Sequence, residues 1–203
     1  MSISAEDRER ISAAIRNAEA TTSGEIVCVL AESSADAKAL PILIAALLAL
    51  ALPWLLVALT ALPVQRILLL QIVVFVALTV LLCQPRVRVA LMPRAARRAV
   101  AHRVAMEQFV IRGLARKKER TGVLIFVSLA ERYARIIADE GISSRVRQPQ
   151  WQGAVDTLIV HMREGRVADG FINAIDICGR LLATHFPPKG ARRDELPDRI
   201  YVI

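Results

Sequence analysis

From Ala39 to Gln65 the chain runs 27 residues without a charge, and after Arg66 it runs another 19 from Ile67 to Pro85. A helix rises about 1.5 Å per residue and needs roughly 20 apolar residues to cross the hydrocarbon of a bilayer. The pattern predicts two transmembrane helices, at about 39–63 and 67–85, inside a membrane segment spanning 38–92. Pro63 to Arg66 is the only turn between them, so both outer ends return to the same side. A chain of 203 residues has no core large enough to bury two such helices all round.

On either side of this hairpin the periodicity changes. Ser4 starts a helix, with Asp7 three residues on as a capping partner, Ile3 as a staple, and Ile11, Ala14, Ile15 and Ala18 on one face. Thr21 to Gly24 stops it, and Glu25 to Ala31 reads as a buried strand. After the hairpin, Pro93 precedes a basic helix to about Leu114, with an apolar stripe of Val100, Val104, Ile111 and Leu114. Val123 to Leu129 and Tyr133 to Ala138 read as a β-hairpin, its first strand central and its second nearer an edge. Ser143 to Pro149 reads as a polar linker, Trp151 to Glu164 and Val167 to Phe186 as helices, and Leu196 to Ile203 as a short tail docked on the body.

Three buried strands need helices on both faces, which predicts a three-layer α/β/α sandwich. An isolated buried strand would leave its backbone unpaired, so the first strand must join the later two. One domain, made of residues 1–37 and 93–203, is therefore split by the inserted hairpin of 38–92.

Charge orients this arrangement. The net charge is +8, and the segment 86–120 carries 11 basic residues against Glu107 and Glu119, which accounts for the whole excess. Lys38, Arg86, Arg88, Arg94, Arg97, Arg98 and Arg103 flank the outer ends of the hairpin, against Arg66 alone at its tip. The positive-inside bias puts both termini in the cytoplasm. Arg86, Arg88, Arg94, Arg97 and Arg98 are placed to face anionic lipid head groups, at about 1 kcal/mol each. No nucleic-acid motif accompanies the charge, so nucleic acid is not an expected partner. Residues 1–20 have no apolar stretch of the signal-peptide kind. Arginine greatly outnumbers lysine, which suggests a bacterial chain, and hence the inner membrane as its site. Cys28, Cys83 and Cys178 lie far apart without metal-type spacing and read as thiols in a reducing compartment.

The candidate chemistry is sparse. Asp139 and Glu140 read either as metal ligands or acid/base groups, or as a solvated turn that caps an edge strand. Arg132 and Arg135 suit a phosphate or a partner carboxylate. His102, His161 and His185 have no companion ligands in sequence, and no nucleophile elbow or phosphate loop is present. Trp54 and Trp151 read as anchors. No catalytic residue is expected.

Four stretches resemble the TPM-domain family. Thr22-Ser-Gly-Glu-Ile-Val27 is similar to the start of the family's first strand, and Thr121-Gly-Val-Leu-Ile-Phe-Val127 to its Asn-Gly-Val-Leu-Leu-Leu strand. Arg132-Tyr-Ala-Arg-Ile136 with Asp139-Glu-Gly-Ile142 resembles the return strand and its Gly-Tyr-Gly turn. Glu164-Gly-Arg-Val-Ala-Asp-Gly-Phe171 resembles the helix–Gly–helix junction. The likeness covers roughly 5–32 and 95–186. It implies an α/β/α sandwich, membrane tethering and, in some members, acid phosphatase activity with divalent cations held by acidic residues at the second strand's start and at the turn. This chain has the basic run Arg116 to Arg120 at that start, and keeps Asp139 and Glu140 at the turn. A cation such as Ca²⁺ takes six or more oxygens.

Two expectations follow. The favoured one is a non-catalytic, membrane-tethered interaction module at the cytoplasmic face, without a cofactor. It contacts another membrane or envelope protein, in membrane-protein assembly or quality control, through Arg132, Arg135, Asp139 and Glu140. The alternative is a divalent-cation-dependent phosphatase whose third carboxylate comes from Glu25 or Asp169.

Overall fold

A computed structural model describes residues 3–34, 39–60, 62–84, 87, 92–114, 120–188 and 196–203. The elements are α1 (Ala5–Glu19), β1 (Glu25–Ala31), α2 (Ala39–Leu59), α3 (Val64–Leu82), α4 (Arg94–Ile111), β2 (Gly122–Ser128), β3 (Tyr133–Ala138), α5 (Glu140–Ser143), a 3-10 turn (Gln148–Trp151), α6 (Gln152–Arg163), α7 (Val167–His185) and β4 (Ile200–Val202). They fall into two compact units, Met1–Ser34 with Arg98–Ile203, and Ala35–Arg97.

The first unit is the predicted sandwich, built on a sheet of order β3-β2-β1-β4. All seven residues of β1 and all seven of β2 are buried, because both strands are apolar on both faces. They pair in parallel, Glu25 opposite Gly122 through Ala31 opposite Ser128, and β3 returns antiparallel to β2. Side chains alternate between two cores. Ile26, Cys28, Leu30, Val123, Ile125, Val127 and Ile136 meet α1, α6 and α7 on one face. Val27, Val29, Leu124 and Phe126 meet Ala105 and Phe109 of α4, and Leu114, on the other. Burial pushes the thiols of Cys28 and Cys178 well above the ordinary range, so both are protonated packing groups.

Local signals account for the joints. Ser4 caps α1, its hydroxyl accepting the Asp7 N–H at 3.0 Å and donating to the Asp7 carboxylate at 2.8 Å, with Ile3 buried beneath. Glu19 Oε1 accepts the Ile26 N–H at 2.7 Å and ties the end of α1 to β1. At Gly179 a Cβ would lie 2.8 Å from the Cβ of Ala18, so glycine lets α7 cross α1 at close range.

Four expectations change. The buried face of α4 is Ala101, Ala105 and Phe109, with Val104 partly buried and Ile111 66% exposed. The predicted stripe included Leu114, but the helix ends at Ile111 and Gly113 turns the chain at φ +79°, so Leu114 reaches the core from beyond the helix. The apolar tail is a fourth strand, β4, parallel to β1, and three residues are too few to show alternation. The linker from Ser143 to Pro149 is bracketed by α5 and the 3-10 turn, and buried Val146 and Trp151 anchor this stretch. The apolar helices end at Leu59 and Leu82, and the second begins at Val64 because Pro63 is its N-cap.

The second unit holds α2 and α3, which pack on one another and bury Ala45, Ala49 and Ile67. Pro41–Leu59 and Val64–Leu82, with mean hydropathies of 2.8 and 2.3, are each long and apolar enough to cross a membrane. Their large side chains lie mostly exposed, Leu43, Leu47, Leu50, Trp54, Ile72 and Val76 among them, whereas a helix in a soluble core is largely covered.

A candidate anion-binding groove

The free side of β3 is flanked by α4 on one face of the sheet and by α6, with the 3-10 turn before it, on the other. These elements enclose an open groove of about 550 Å³. Arg98 and His102 reach it from α4, Arg132, Tyr133 and Arg135 from the start of β3, and Gln148 and Gln152 from the α6 side. Ala99, Ala134, Val155 and Ile159 complete it. Among the described residues that line it there are three arginines and no Asp or Glu. Guanidinium forks match carboxylate and phosphate oxygens two at a time. Tyr133 Oη lies 3.4 Å from His102 Nδ1, and its ring rests on Phe126 at 6.4 Å between centroids.

A tight turn brings the arginines here. Arg132 takes φ +51°, the left-handed conformation, and its N–H donates to the Leu129 carbonyl at 3.2 Å. Glu131, buried beneath, holds this turn against the end of β1. It accepts from Ser33 Oγ at 3.1 Å, from the Ser34 N–H at 3.0 Å and from Ser128 Oγ. Burial pushes the Glu131 pKa up, but the Ser128, Ser34 and Ser33 donors outweigh it and hold the carboxyl below its ordinary range. A carboxylate with a depressed folded pKa stabilises fully above the unfolded value and loses that contribution as pH falls through the folded one. Glu131→Gln is therefore expected to cost about 1–3 kcal/mol at pH 7. From roughly pH 5 downward the difference from wild type should shrink, as denaturant melts of the two proteins across pH would read.

Asp139 and Glu140 stand at the other end of β3, about 20 Å from Arg132 by strand length. Asp139 caps α5, with Oδ1 accepting the Glu140 N–H at 2.7 Å, and Glu140 pairs with Arg120. Asp169, a suggested third ligand, is bound by Arg10 of α1 at 2.7 Å, and Glu25 begins β1, two strands from β3. Among the described residues no three His, Cys, Asp or Glu side chains gather as a metal requires. The structure thus joins Arg132 and Arg135 to Arg98 and separates them from Asp139 and Glu140. Arg94 is exposed and Arg97 half-buried on α4, while Arg86 and Arg88 lie outside the described residues. No sequence motif assigns His102, Tyr133, Gln148 or Gln152 to a groove; Arg98 and His102, at i, i+4 on one helix face, carry the signal for it.

Residues 83–181 match the model of the TPM domain family. That stretch contains α4, β2, β3, α6 and most of α7, and every residue of the groove. The fold is shared with the NMR structure of the BA42 protein from the psychrophilic bacterium Bizionia argentinensis. The TM-score is 0.62 at 21% identity, over 100% of this chain and 97% of that one. No curated protein matches the chain.

Proposed function

Because the chain belongs to the TPM domain family through residues 83–181, and its groove gathers Arg98, Arg132 and Arg135, we propose that it is a membrane-tethered binding module. In this reading α2 and α3 anchor it in a bacterial inner membrane with both termini cytoplasmic. The groove receives an anionic part of another membrane or envelope protein, in membrane-protein assembly or quality control. The observation that carries the reading is that three arginines, and no Asp or Glu, stand among the described residues lining the groove. The capping role of Asp139 and the Glu140–Arg120 pair agree with it, since both acids serve local structure. No cofactor is needed.

The test is recovery of partners from membranes in mild detergent. Wild type and Asp139→Asn are expected to retain the same partner, and Arg98→Glu/Arg135→Glu to lose it. Divalent-cation-dependent hydrolysis of a phosphate ester, abolished by Asp139→Asn, would replace this reading with a phosphatase. A reporter fused after Ile203 is expected to report the cytoplasm, and export-dependent activity there would reverse the topology.

A further inference from the structure

We propose that the free edge of β3 binds an extended segment of the partner as a fifth strand, with acidic and apolar residues alternating along it. The inference rests on the binding-module reading and specifies its chemistry.

Among the described residues, the sheet order leaves one side of β3 without a neighbouring strand. The Asp139 N–H donates to the Gly122 carbonyl at 2.9 Å, in the same register as Val123 opposite Ala138. Antiparallel ladders alternate, so Tyr133, Arg135 and Ile137 bond to β2, and Ala134, Ile136 and Ala138 turn their N–H and C=O groups outward. Gln148 agrees with this from the other side, since its Nε2 reaches the Ile136 carbonyl at 3.4 Å. The opposite edge of the sheet, β4, is only three residues long, while β3 offers six. Long open edges are templates for a further strand unless charge or cover guards them.

The walls of the groove choose the occupant. Arg135 shares its face of β3 with Tyr133 and Ile137, which pack toward the α4 layer, and Arg98 stands on α4. Val155 and Ile159 of α6 form the opposite wall. A strand laid beside β3 sends successive side chains to opposite walls. Acidic residues would meet the arginines, and apolar residues would meet Val155 and Ile159.

The probe is an alternating Glu-Val octapeptide, offered to the full-length protein in detergent and followed by hydrogen exchange and fluorescence anisotropy. It is expected to bind and to slow exchange at the Ala134, Ile136 and Ala138 amides. Arg135→Glu and Arg98→Glu should each weaken binding about tenfold or more. A Lys-Val octapeptide should not bind, and N-methylation of alternate Glu-Val amides should abolish binding, because main-chain hydrogen bonds carry strand addition. Binding without protection of those amides, or competition by free glutamate or orthophosphate at the same concentration as the peptide, would overturn strand addition in favour of a simple anion pocket. If the peptide fails to bind while the charge-reversal variant still loses its natural partner, strand addition is wrong and the module reading stands. If the peptide fails and charge reversal leaves the partner bound, both fail.

Discussion

Phe126→Ala is expected to destabilise the α/β domain by about 3–5 kcal/mol, the usual cost of deleting a buried aromatic ring. Total stabilities of about 5–15 kcal/mol make that a large share. Phe126 is fully buried on β2, in the smaller core under α4 and Leu114, among Val27, Val29, Leu124, Ala105 and Phe109. Tyr133 rests on the same ring, so the floor of the groove should loosen as well. A thermal melt of the full-length protein in detergent reads the effect. Ile111→Ala is the control. Ile111 belongs to the stripe expected from sequence but is 66% exposed, and its loss should change stability by no more than about 0.5 kcal/mol. Equal losses at the two positions would mean that α4 packs by the other face.

Replacing residues 38–92 with a flexible linker is expected to move the protein from the membrane fraction to the soluble fraction with its fold intact. Each apolar helix contributes 19 residues or more, and at a few tenths of a kcal/mol per central Leu, Ile, Val or Phe the pair favours the bilayer by on the order of 10 kcal/mol. All four strands, with α1, α6 and α7, lie outside the Ala35–Arg97 unit, as does α4 from Arg98 onward. The circular dichroism and melting transition of the soluble product should therefore match an α/β domain. A product that still sediments with membranes would remove the hairpin as the anchor. One that is soluble but unfolded would mean that the sandwich needs the hairpin to form.

The sandwich was legible because its strands announce themselves. Glu25 to Ala31 and Val123 to Leu129 are apolar runs too short for helices and bounded by turn residues, and the pair Val123 to Leu129 and Tyr133 to Ala138 has hairpin spacing. Ser4 and Asp7 marked the start of α1 just as plainly. The groove was not legible. Its charged residues run from Arg98 to Arg135 and its far wall extends to Ile159, and only the register of β3 and the layering of α4 and α6 bring them together. Arg98 reads as a head-group contact because sequence proximity to the hairpin is the guide to its direction, and the structure adds that it lines the groove. Arg132 and Asp139 looked like one surface for the same reason, and the extended strand between them holds them apart.

The most direct measurement is photocrosslinking in intact cells from a reactive side chain placed at Gln152, which lines the groove, and from one at Val160, exposed on α6 outside it. The binding-module account predicts a discrete adduct with a membrane or envelope protein from position 152, absent from position 160 and lost when Arg98→Glu/Arg135→Glu is added. No adduct from 152, or the same adducts from both positions regardless of the arginines, would contradict it.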